Sequence, residues 1–447
     1  MLAIYSLLLT AAFAVMLPLF FLRRQKYAAG FGQRLGRLSS LVPDGRKVGW
    51  VHCVSVGETN AARPLIDEIH RNFPDLRLVV STTTLTGQEL ARKLFADAAD
   101  EVVYFPFDWR FSVRRALEAI RPSFVLFVET EIWPRFYREA KKSGARLFIV
   151  NGRLSERSAA NYRKVRRLVA RVLSDLDAAL MQSLTDRERI VSLGIDPDKC
   201  VVTGNLKFDH QTDGLEEAAT ADLRARFCSI DEQRPLIVAA STHAPEEKWL
   251  LDCYAELLRS SAENAPRLLI APRHPQRFSE VAALIAEFAA REDITFAVRS
   301  DKLAESDRSA NIILLDSIGE LRSVYPLADI VFVGGSLVPH GGQSVLEPAA
   351  AGKAIVTGPH TSNFASVIKE FAANDAIIQL STDGRPPLDT LFGTLKDLLH
   401  DTERRRELGN NAARVMEQNR GATLRTIQAL TPYFLGTVRS EKGNDSQ

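Results

Sequence analysis

Short apolar runs alternate with longer amphipathic stretches over most of the chain. In the first half, apolar runs rich in β-branched and aromatic residues occupy positions 48–54, 78–82, 102–105, 124–128, 147–150 and 201–203. The pattern then starts again, with runs at 236–240, 268–271, 312–315, 330–333, 354–357 and 377–380. Buried strands separated by amphipathic helices are typical of a parallel sheet covered by helices on both faces. The sequence therefore predicts an α/β protein with two doubly wound, Rossmann-like domains that face each other across a cleft.

The domain boundaries follow from the break between the two series of runs. We expect the first domain to cover residues 23–208 and the second to cover 218–433, with the polar segment 209–217 as the linker. A length of 447 residues, 46% of them hydrophobic, is enough for two separate cores. A late helical pattern at 401–430 either closes the second domain or crosses back to the first.

The amino terminus carries an uncharged apolar segment over residues 1–22. As a helix it would be about 33 Å long, enough to cross a bilayer core of roughly 30 Å. Arg23, Arg24 and Lys26 follow directly, and basic residues tend to remain on the cytoplasmic side. We predict a single membrane anchor with cytoplasmic domains. The competing interpretation is a cleaved secretory signal ending at Ala14, but the apolar segment continues beyond that residue.

Charge is unevenly distributed between the two halves of the chain. Residues 1–207 contain 32 Lys and Arg against 21 Asp and Glu, a net charge of +11, which leaves −9 for the rest of a chain whose total is +2. Within the first half, residues 135–171 contain twelve basic and two acidic side chains. Such a surface suits an anionic partner, although an uneven solvated surface would also explain it. Aromatic residues that could stack on bases are sparse there, which favours anionic lipid over nucleic acid.

Several kinds of cofactor and metal site are disfavoured by the residue spacing. No GxGxxG fingerprint follows a predicted strand, and the eight histidines have no metal-binding spacing. The acidic pair at 196–198 follows a turn and is interpreted as a loop. We therefore expect neither a metal nor a redox cofactor. The four cysteines lack CxxC spacing and are expected to be reduced and mostly buried: Cys53, Cys200, Cys228 and Cys253.

Carboxylates that follow predicted strands are the candidate acid–base groups. Glu58 lies in the first turn after the first strand, where it could accept a proton from a hydroxyl group or simply cap a helix. Glu129 and Glu131 follow the strand at 124–128 in the same way. They could hold a hydroxylated or cationic group, or one of them could pair with Arg153 or Arg157. Both interpretations remain open at this level.

A glycine-rich stretch at 334–342 is the strongest nucleotide signal. It follows a predicted strand and precedes a helix expected to begin near Gln343 and to carry Glu347. Backbone N–H groups in such a turn can approach a phosphate, and Glu347 could accept the hydroxyls of a ribose. Arg273 follows a neighbouring strand and could neutralise a phosphate. A purely structural turn is the alternative.

Taken together, these segments resemble the Kdo transferase family, whose members attach 3-deoxy-D-manno-octulosonic acid (Kdo) to a lipid A precursor. The resemblance implies a GT-B fold, metal-independent transfer, CMP-Kdo as the donor and the phosphorylated lipid IV(A) as the acceptor at the bacterial inner membrane. It spans nearly the whole chain in order. It is carried by the apolar amino terminus and by residues 52–58, 63–65, 81–87, 129–134, 151–155, 204–209, 241–243, 272–275, 319–321, 334–348, 358–361 and 363–364.

The same resemblance implies roles for individual residues. Glu58 would be the general base, and Glu129 and Lys207 would stabilise the transition state. One motif departs from the family, because its usual His-Asn-Pro-Leu-Glu reads Gln-Ser-Val-Leu-Glu at 343–347 here. The residues expected to contact CMP are Pro272, Arg273, Ile318, Gly319, Glu320, Ser344, Val345, Leu346 and Glu347.

Two other functions remain open from the sequence. One is a GT-B transferase that uses a UDP-sugar, which turnover with CMP-Kdo and with UDP-sugars would distinguish. The other is a membrane-tethered protein that binds lipid or nucleotide without catalysis, for which Glu58→Gln would have no effect on function.

Overall fold

The computed structural model describes residues 2–22, 29–209, 215–227, 234–260, 265–381 and 387–435. Within these, only the backbone is described for residues 2–4, 16–22, 215–216 and 387. The chain forms two compact units. The first comprises Met1–Gln211 together with Asn419–Gln447, and the second comprises Thr212–Gln418.

The first unit is built on seven parallel strands in the order β3-β2-β1-β4-β5-β6-β7. The strands are β1 (Lys47–Cys53), β2 (Leu76–Thr82), β3 (Glu101–Tyr104), β4 (Phe124–Val128), β5 (Arg146–Gly152), β6 (Ala178–Met181) and β7 (Cys200–Val202). Its helices up to residue 192 are α1 (Leu2–Leu22), α2 (Phe31–Arg34), α3 (Val56–Asn72), α4 (Leu85–Leu94), α5 (Arg110–Ile120), α6 (Pro134–Lys142), α7 (Glu156–Lys164), α8 (Arg166–Leu173) and α9 (Leu184–Ser192).

The central strands of this sheet are buried on both faces. Side chains alternate along β1, so Trp50 packs into the core on one face and Val51 into the core on the other. All five residues of β4 are buried. Continuous apolar runs are what a doubly covered parallel sheet requires, and this is why the strand predictions succeeded here.

Every predicted strand is present, to within a few residues at its ends. Two strands of the structure were not predicted: β6 and one strand of the second sheet. Strand β6 reads Ala-Ala-Leu-Met, which lacks the β-branched and aromatic residues that mark strands. It forms because β5 and β7 flank it on either side.

The second unit also contains seven parallel strands, in the order β10-β11-β9-β8-β12-β13-β14. They are β8 (Leu236–Thr242), β9 (Arg267–Pro272), β10 (Phe296–Val298), β11 (Ile312–Leu314), β12 (Ile330–Val333), β13 (Ala354–Thr357) and β14 (Ile378–Gln379). Strand β10, the second missed strand, is a three-residue strand at the edge of the sheet. The helices are α10 (Leu215–Phe227), α11 (Glu246–Ser260), α12 (Phe278–Glu292), α13 (Leu321–Val324), α14 (Leu346–Ala350), α15 (Ala365–Ala373), α16 (Pro387–His400) and α17 (Thr402–Asn419).

The last helix, α18 (Ala422–Phe434), returns to the first unit. Phe434 packs 4.6 Å from Phe124 between ring centroids. The carboxylate of Asp209 accepts the N–H of Gly421 at 2.7 Å, close to the start of the helix. The late helical pattern at 401–430 is therefore divided between the two units, because α17 lies in the second unit and α18 crosses back to the first. We expected the second domain to extend from 218 to 433. In the structure, α18 instead belongs to the first unit, because its apolar face completes the first core. Most of the predicted linker lies outside the described residues.

Helix α1 contacts the rest of the first unit through polar and aromatic side chains. Ser6 Oγ accepts a hydrogen bond from Arg135 at 2.9 Å, and Thr10 Oγ1 accepts one from the Trp109 indole at 3.1 Å. Phe13 packs against Trp109 with ring centroids 4.9 Å apart. In the part of the chain that the structure describes, no helix has the length and apolar character of a membrane span. The predicted anchor is thus not confirmed, and the side chains at 1–4 and 16–22 lie outside that part.

Candidate functional site

The order of strands in the first sheet reverses direction between β1 and β4. Strands β2 and β3 continue on one side of β1, whereas β5 to β7 continue beyond β4. Ligands of open α/β sheets bind at such a switch point, beyond the carboxyl ends of the strands. Glu58 follows β1, and Glu129 and Glu131 follow β4. The structure therefore brings all three predicted carboxylates to the edge where a site is expected.

Glu58 is fixed by hydrogen bonds at the start of α3. Its Oε2 accepts the Val54 N–H at 2.6 Å, and its Oε1 accepts the Ser55 hydroxyl at 3.2 Å. The residue is only 9% exposed. The sequence left open whether Glu58 accepts a proton or caps a helix, and the structure is compatible with both. The carboxylate accepts hydrogen bonds from Val54 and Ser55 just before α3, and it also lies at the switch point.

Burial raises the pKa of Glu58 to about 8, against an ordinary value of 4.5. The negative charges of Glu129 and Glu131 contribute to this rise, while the hydrogen bonds from Val54 and Ser55 oppose it. Burial likewise raises the pKa of Glu131 to about 7, with Glu129 contributing. A carboxyl group with a pKa close to neutrality can both accept and release a proton under physiological conditions.

Glu129 adopts a left-handed backbone conformation immediately after β4. Its φ is +61°, a region that costs a non-glycine residue roughly 1–3 kcal/mol and that is concentrated at functional sites. Its carboxylate pairs with Lys207 Nζ at 3.3 Å. Arg153, one of the two partners considered from the sequence, instead donates its backbone N–H to the Thr130 hydroxyl at 3.0 Å. The ion pair between Lys207 and Glu129 was not predicted from the spacing of residues in the sequence.

Lys207 is positioned by a short turn that is hydrogen-bonded to Asn151 of β5. It lies on the short turn Leu206–Asp209, which packs against α3, the helix that carries Glu58. The Leu206 N–H donates to the side-chain oxygen of buried Asn151 at 3.0 Å. Asn151 lies near the end of β5 and also has a left-handed φ of +53°. The turn thus holds the ammonium group of Lys207 against Glu129 at the end of β4.

In the second unit, the strand order reverses between β8 and β12, and the glycine-rich stretch follows β12. The structure changes the interpretation of this stretch. The buried Glu246 carboxylate accepts the N–H groups of Gly335 at 2.7 Å, Ser336 at 3.0 Å and Leu337 at 2.9 Å, and also that of His243 at 2.9 Å. These amides were expected to be available for a phosphate. They bind an internal carboxylate instead, so phosphate contacts from this stretch must come after Leu337.

Arg273 and Glu347, both expected to contact CMP, act on a common buried residue. Both interact electrostatically with the hydroxyl of Tyr325, whose pKa is raised above its usual value by burial first and by Glu347 second. Glu347 pairs with Arg322 at 3.4 Å and remains partly exposed, as does Ser344, whereas Arg273 is exposed. The helix expected to begin near 343 begins at Leu346.

The remaining residues expected to contact CMP differ in accessibility. Ile318 is 80% exposed, and Gly319 has a φ of +93° that favours glycine. Glu320 forms a bidentate ion pair with Arg299 at 2.7 and 3.0 Å, which lowers the pKa of Glu320. Three further predicted residues are buried and present little surface to a ligand: Pro272, Val345 and Leu346.

The sequence interpretation overlooked Glu246 and Glu247. Glu247 accepts hydrogen bonds from the Thr242 hydroxyl at 2.8 Å and from Arg277 at 2.6 Å. This pair therefore connects the end of β8 to the loops after β9 and β12. Two consecutive carboxylates in the first turn of a helix, directly after an apolar strand, are the signal that could have drawn attention to them.

Three of the four cysteines and the acidic pair at 196–198 lie among the described residues. Cys53, Cys200 and Cys253 are free and buried, as predicted, while Cys228 lies outside the described residues. The acidic pair at 196–198 forms a short turn in which Asp196 accepts the Asp198 N–H at 3.0 Å. Among the described residues, no three His, Cys, Asp or Glu side chains are grouped as metal ligands.

Part of the basic segment 135–171 is neutralised within the first unit. Lys141 and Arg146 both pair with Asp177, at 2.7 and 2.8 Å, and Arg138 pairs with Asp175 at 3.2 Å. Two exposed basic residues of the segment, Arg138 and Lys142, lie on α6. The others that face solvent are on α7 and α8: Arg157, Arg163, Lys164, Arg166, Arg167 and Arg171. The exposed positive surface is thus smaller than the sequence count and lies mostly on these two helices.

Comparison with known proteins identifies a family that the chain resembles. The family described as 3-Deoxy-D-manno-octulosonic-acid transferase (kdotransferase) matches residues 29–210. The chain is 33% identical to the 3-deoxy-D-manno-octulosonic acid transferase of Haemophilus influenzae over 92% of both chains. It is 32% identical to the enzyme of that name from Bordetella pertussis, over 86% of this chain and 87% of the relative.

A solved structure also shares the fold. The UDP-GlcNAc 2-epimerase of Neisseria meningitidis superimposes with a TM-score of 0.53 at 14% identity, covering 86% of this chain and 99% of that one. Such a likeness shows the two-domain, GT-B-like α/β fold alone. The sequence identity over nearly the full length is what establishes the family: this chain belongs to the 3-deoxy-D-manno-octulosonic acid transferases, a family of glycosyltransferases.

Proposed function

We propose that this protein transfers Kdo from CMP-Kdo to the lipid A precursor lipid IV(A), with inversion at the anomeric carbon and Glu58 as the general base. The observation that carries the proposal is the buried, hydrogen-bonded Glu58 carboxylate at the β1–β4 switch point, with a pKa raised to about 8 by burial. Family membership supports the donor sugar.

The proposed reaction is a single displacement. Glu58 removes the proton of a lipid hydroxyl while the hydroxyl oxygen forms a bond to the anomeric carbon of Kdo. The bond from that carbon to the phosphate oxygen breaks, and CMP leaves with the electron pair. Because a phosphate monoester is a stable leaving group, no general acid is required, and no metal is part of the proposal. A positioned base contributes roughly 10²- to 10⁴-fold to such a reaction.

The remaining predicted residues support the proposal from both units. Lys207, paired with Glu129, supplies positive charge beside the base. Arg273 and Glu347 would bind the phosphate and the ribose of the donor. The exposed basic residues of α7 and α8 suit the anionic headgroups of an inner membrane, where the lipid acceptor lies. We propose that the apolar amino terminus anchors the protein there with its domains in the cytoplasm.

Mass spectrometry of the lipid product tests this function. Incubation of the full chain with CMP-Kdo and tetraacylated lipid IV(A) should add the mass of Kdo to the lipid. A parallel reaction with UDP-GlcNAc in place of CMP-Kdo should give no product. Transfer from the UDP-sugar, or no transfer from CMP-Kdo, would contradict the proposal.

Lys207→Met should lower turnover by about 10²-fold, in the range found when one electrostatic stabiliser is removed. It should also raise the pH at which activity reaches its plateau, because the charge of Glu129 is then unpaired and opposes ionisation of Glu58. Initial rates across neutral to alkaline pH provide the measurement.

Two further variants make this result interpretable. Lys199→Met is the control, because it removes another lysine of the first unit, one that donates to the Leu176 carbonyl at 3.1 Å. The pH profile of this variant should match that of the wild type. In Glu131→Gln, a negative charge beside Glu58 is removed, so the plateau should move to lower pH. If Lys207→Met and Glu131→Gln moved the profile in the same direction, electrostatic control of Glu58 would be refuted.

A further inference from the structure

Three histidines from separate loops converge at the switch point of the second sheet. His243 follows β8, His274 follows β9 and His340 follows β12. The ring centroid of His243 is 5.3 Å from that of His274 and 4.8 Å from that of His340, on which it stacks at 29° between planes. These residues are separated by 31 and 66 positions in sequence, so only the fold brings them together. We refer to them as the histidine cluster.

The backbone around the cluster holds the rings in place. Gly335 has a φ of +64°, and a Cβ atom there would come within 3.2 Å of the His243 ring. The close approach therefore requires glycine at this position. The side chain of Asn363 donates to the His340 carbonyl at 3.1 Å. His274 and His340 are exposed and His243 is partly buried, so a ligand can reach the cluster from solvent.

Among the described residues, no carboxylate forms an ion pair with the imidazoles of the cluster. Glu246 accepts four backbone amides, including that of His243, and Glu247 accepts hydrogen bonds from Thr242 and Arg277. Arg273, next to His274 in sequence, adds further positive charge. The pKa of His243 is lowered by burial first and then by His340 and His274, while its hydrogen bond with the Ser241 carbonyl and the charge of Glu247 raise it.

These surroundings favour an anion over a cation as the ligand. A negative group placed against the imidazoles would supply the missing counter-charge and stabilise their protonated forms. The described residues contain no group of three side chains arranged as metal ligands. The position at a switch point, beyond the ends of β8 and β12, is where a doubly wound sheet binds its ligand.

We propose that His243, His274 and His340 form an oxyanion-binding site for the acidic part of the sugar nucleotide and take up protons when it binds. The inference rests on the proposed function, because the oxyanion is either the phosphate or the sugar carboxylate of the CMP-Kdo donor. Binding in this site couples donor affinity to pH. The donor should bind more tightly as the pH falls through the range in which the cluster is protonated.

Isothermal titration calorimetry of CMP into the full-length protein, repeated in buffers of different ionisation enthalpy, measures proton uptake. At neutral pH we expect each of His243→Gln, His274→Gln and His340→Gln to take up fewer protons than the wild type. If the oxyanion is the phosphate, CMP affinity should fall by about tenfold or more in each variant, because a hydrogen bond to a charged group is lost. His400→Gln, an exposed histidine at the end of α16, is the matched control and should match the wild type.

The ligand series identifies the source of the oxyanion. Cytidine lacks both acidic groups and should give the same proton count in the wild type and the variants. A difference seen with CMP assigns the cluster to the phosphate, and a difference seen only with CMP-Kdo assigns it to the carboxylate. Proton uptake and affinity that are unchanged in all three variants with both ligands would overturn the inference and leave the proposed function intact. Absence of CMP and CMP-Kdo binding to the wild type would overturn both.

Discussion

Glu58→Gln should reduce Kdo transfer by roughly 10²- to 10⁴-fold, which is the contribution expected of a positioned general base. The glutamine can still accept the Val54 N–H through its carbonyl oxygen, so the start of α3 should be preserved. CMP affinity should not change, because this residue lies in the first unit. Single-turnover rates with CMP-Kdo and lipid IV(A), together with a CMP titration, separate the loss of chemistry from a loss of binding.

The pH dependence of the wild type follows from the same residue. The base must be ionised, so kcat/KM should rise with pH and level off above about 8, the pKa to which burial raises this carboxyl group. The folded protein binds this proton more tightly than the unfolded chain, whose carboxyl group has its ordinary pKa of 4.5. Stability contributed by this group is therefore present below pH 4.5 and lost as the pH rises towards 8.

Glu58→Gln should accordingly unfold at a higher temperature than the wild type at alkaline pH, by a stabilisation of about 1 kcal/mol, and this advantage should shrink in acid. Glu118→Gln, an exposed carboxylate on α5, should alter neither transfer nor thermal stability. If the variant at position 58 kept more than about a tenth of the wild-type rate, its role as general base would be refuted.

Glu246→Gln should weaken donor binding by about 10²-fold or more, with a smaller effect on turnover at saturating donor. A carboxylate accepts four N–H groups here, whereas glutamine has a single accepting oxygen and would direct its own N–H groups at two of these donors. Each buried donor left unsatisfied costs roughly 1–3 kcal/mol. The loop after β12, which precedes Ser344 and Glu347, would lose its shape.

Donor KM, kcat and denaturant-induced unfolding are the three measurements for this variant. Glu256→Gln changes an exposed carboxylate on the same helix and should be neutral. Glu246→Asp keeps the charge on a shorter side chain and should recover part of the donor affinity. A donor KM for Glu246→Gln within about twofold of the wild type would show that this carboxylate does not position the donor loop.

The burial of both sheets could be predicted from the sequence because parallel strands covered on both faces require uninterrupted apolar runs. Strand β4 is an example, since its predicted and observed bounds are identical. The placement of Glu58 and Glu129 at one edge could also be predicted, since ligand groups follow the carboxyl ends of strands. Strand β6 could not, because Ala-Ala-Leu-Met becomes a strand only between its two neighbours.

The sequence by itself determined the alternation of strands and helices, the family, and which residue types stand at the ends of the strands. The tertiary structure alone decided what those residues can do. Glu58 has an ordinary carboxyl group until burial raises its pKa, and Lys207 is paired with Glu129 across 78 positions of sequence. Glu246 likewise occupies amides that the sequence offered to a phosphate. Ionisation and hydrogen bonding depend on the groups that packing brings within a few ångströms, and local sequence does not specify that distance.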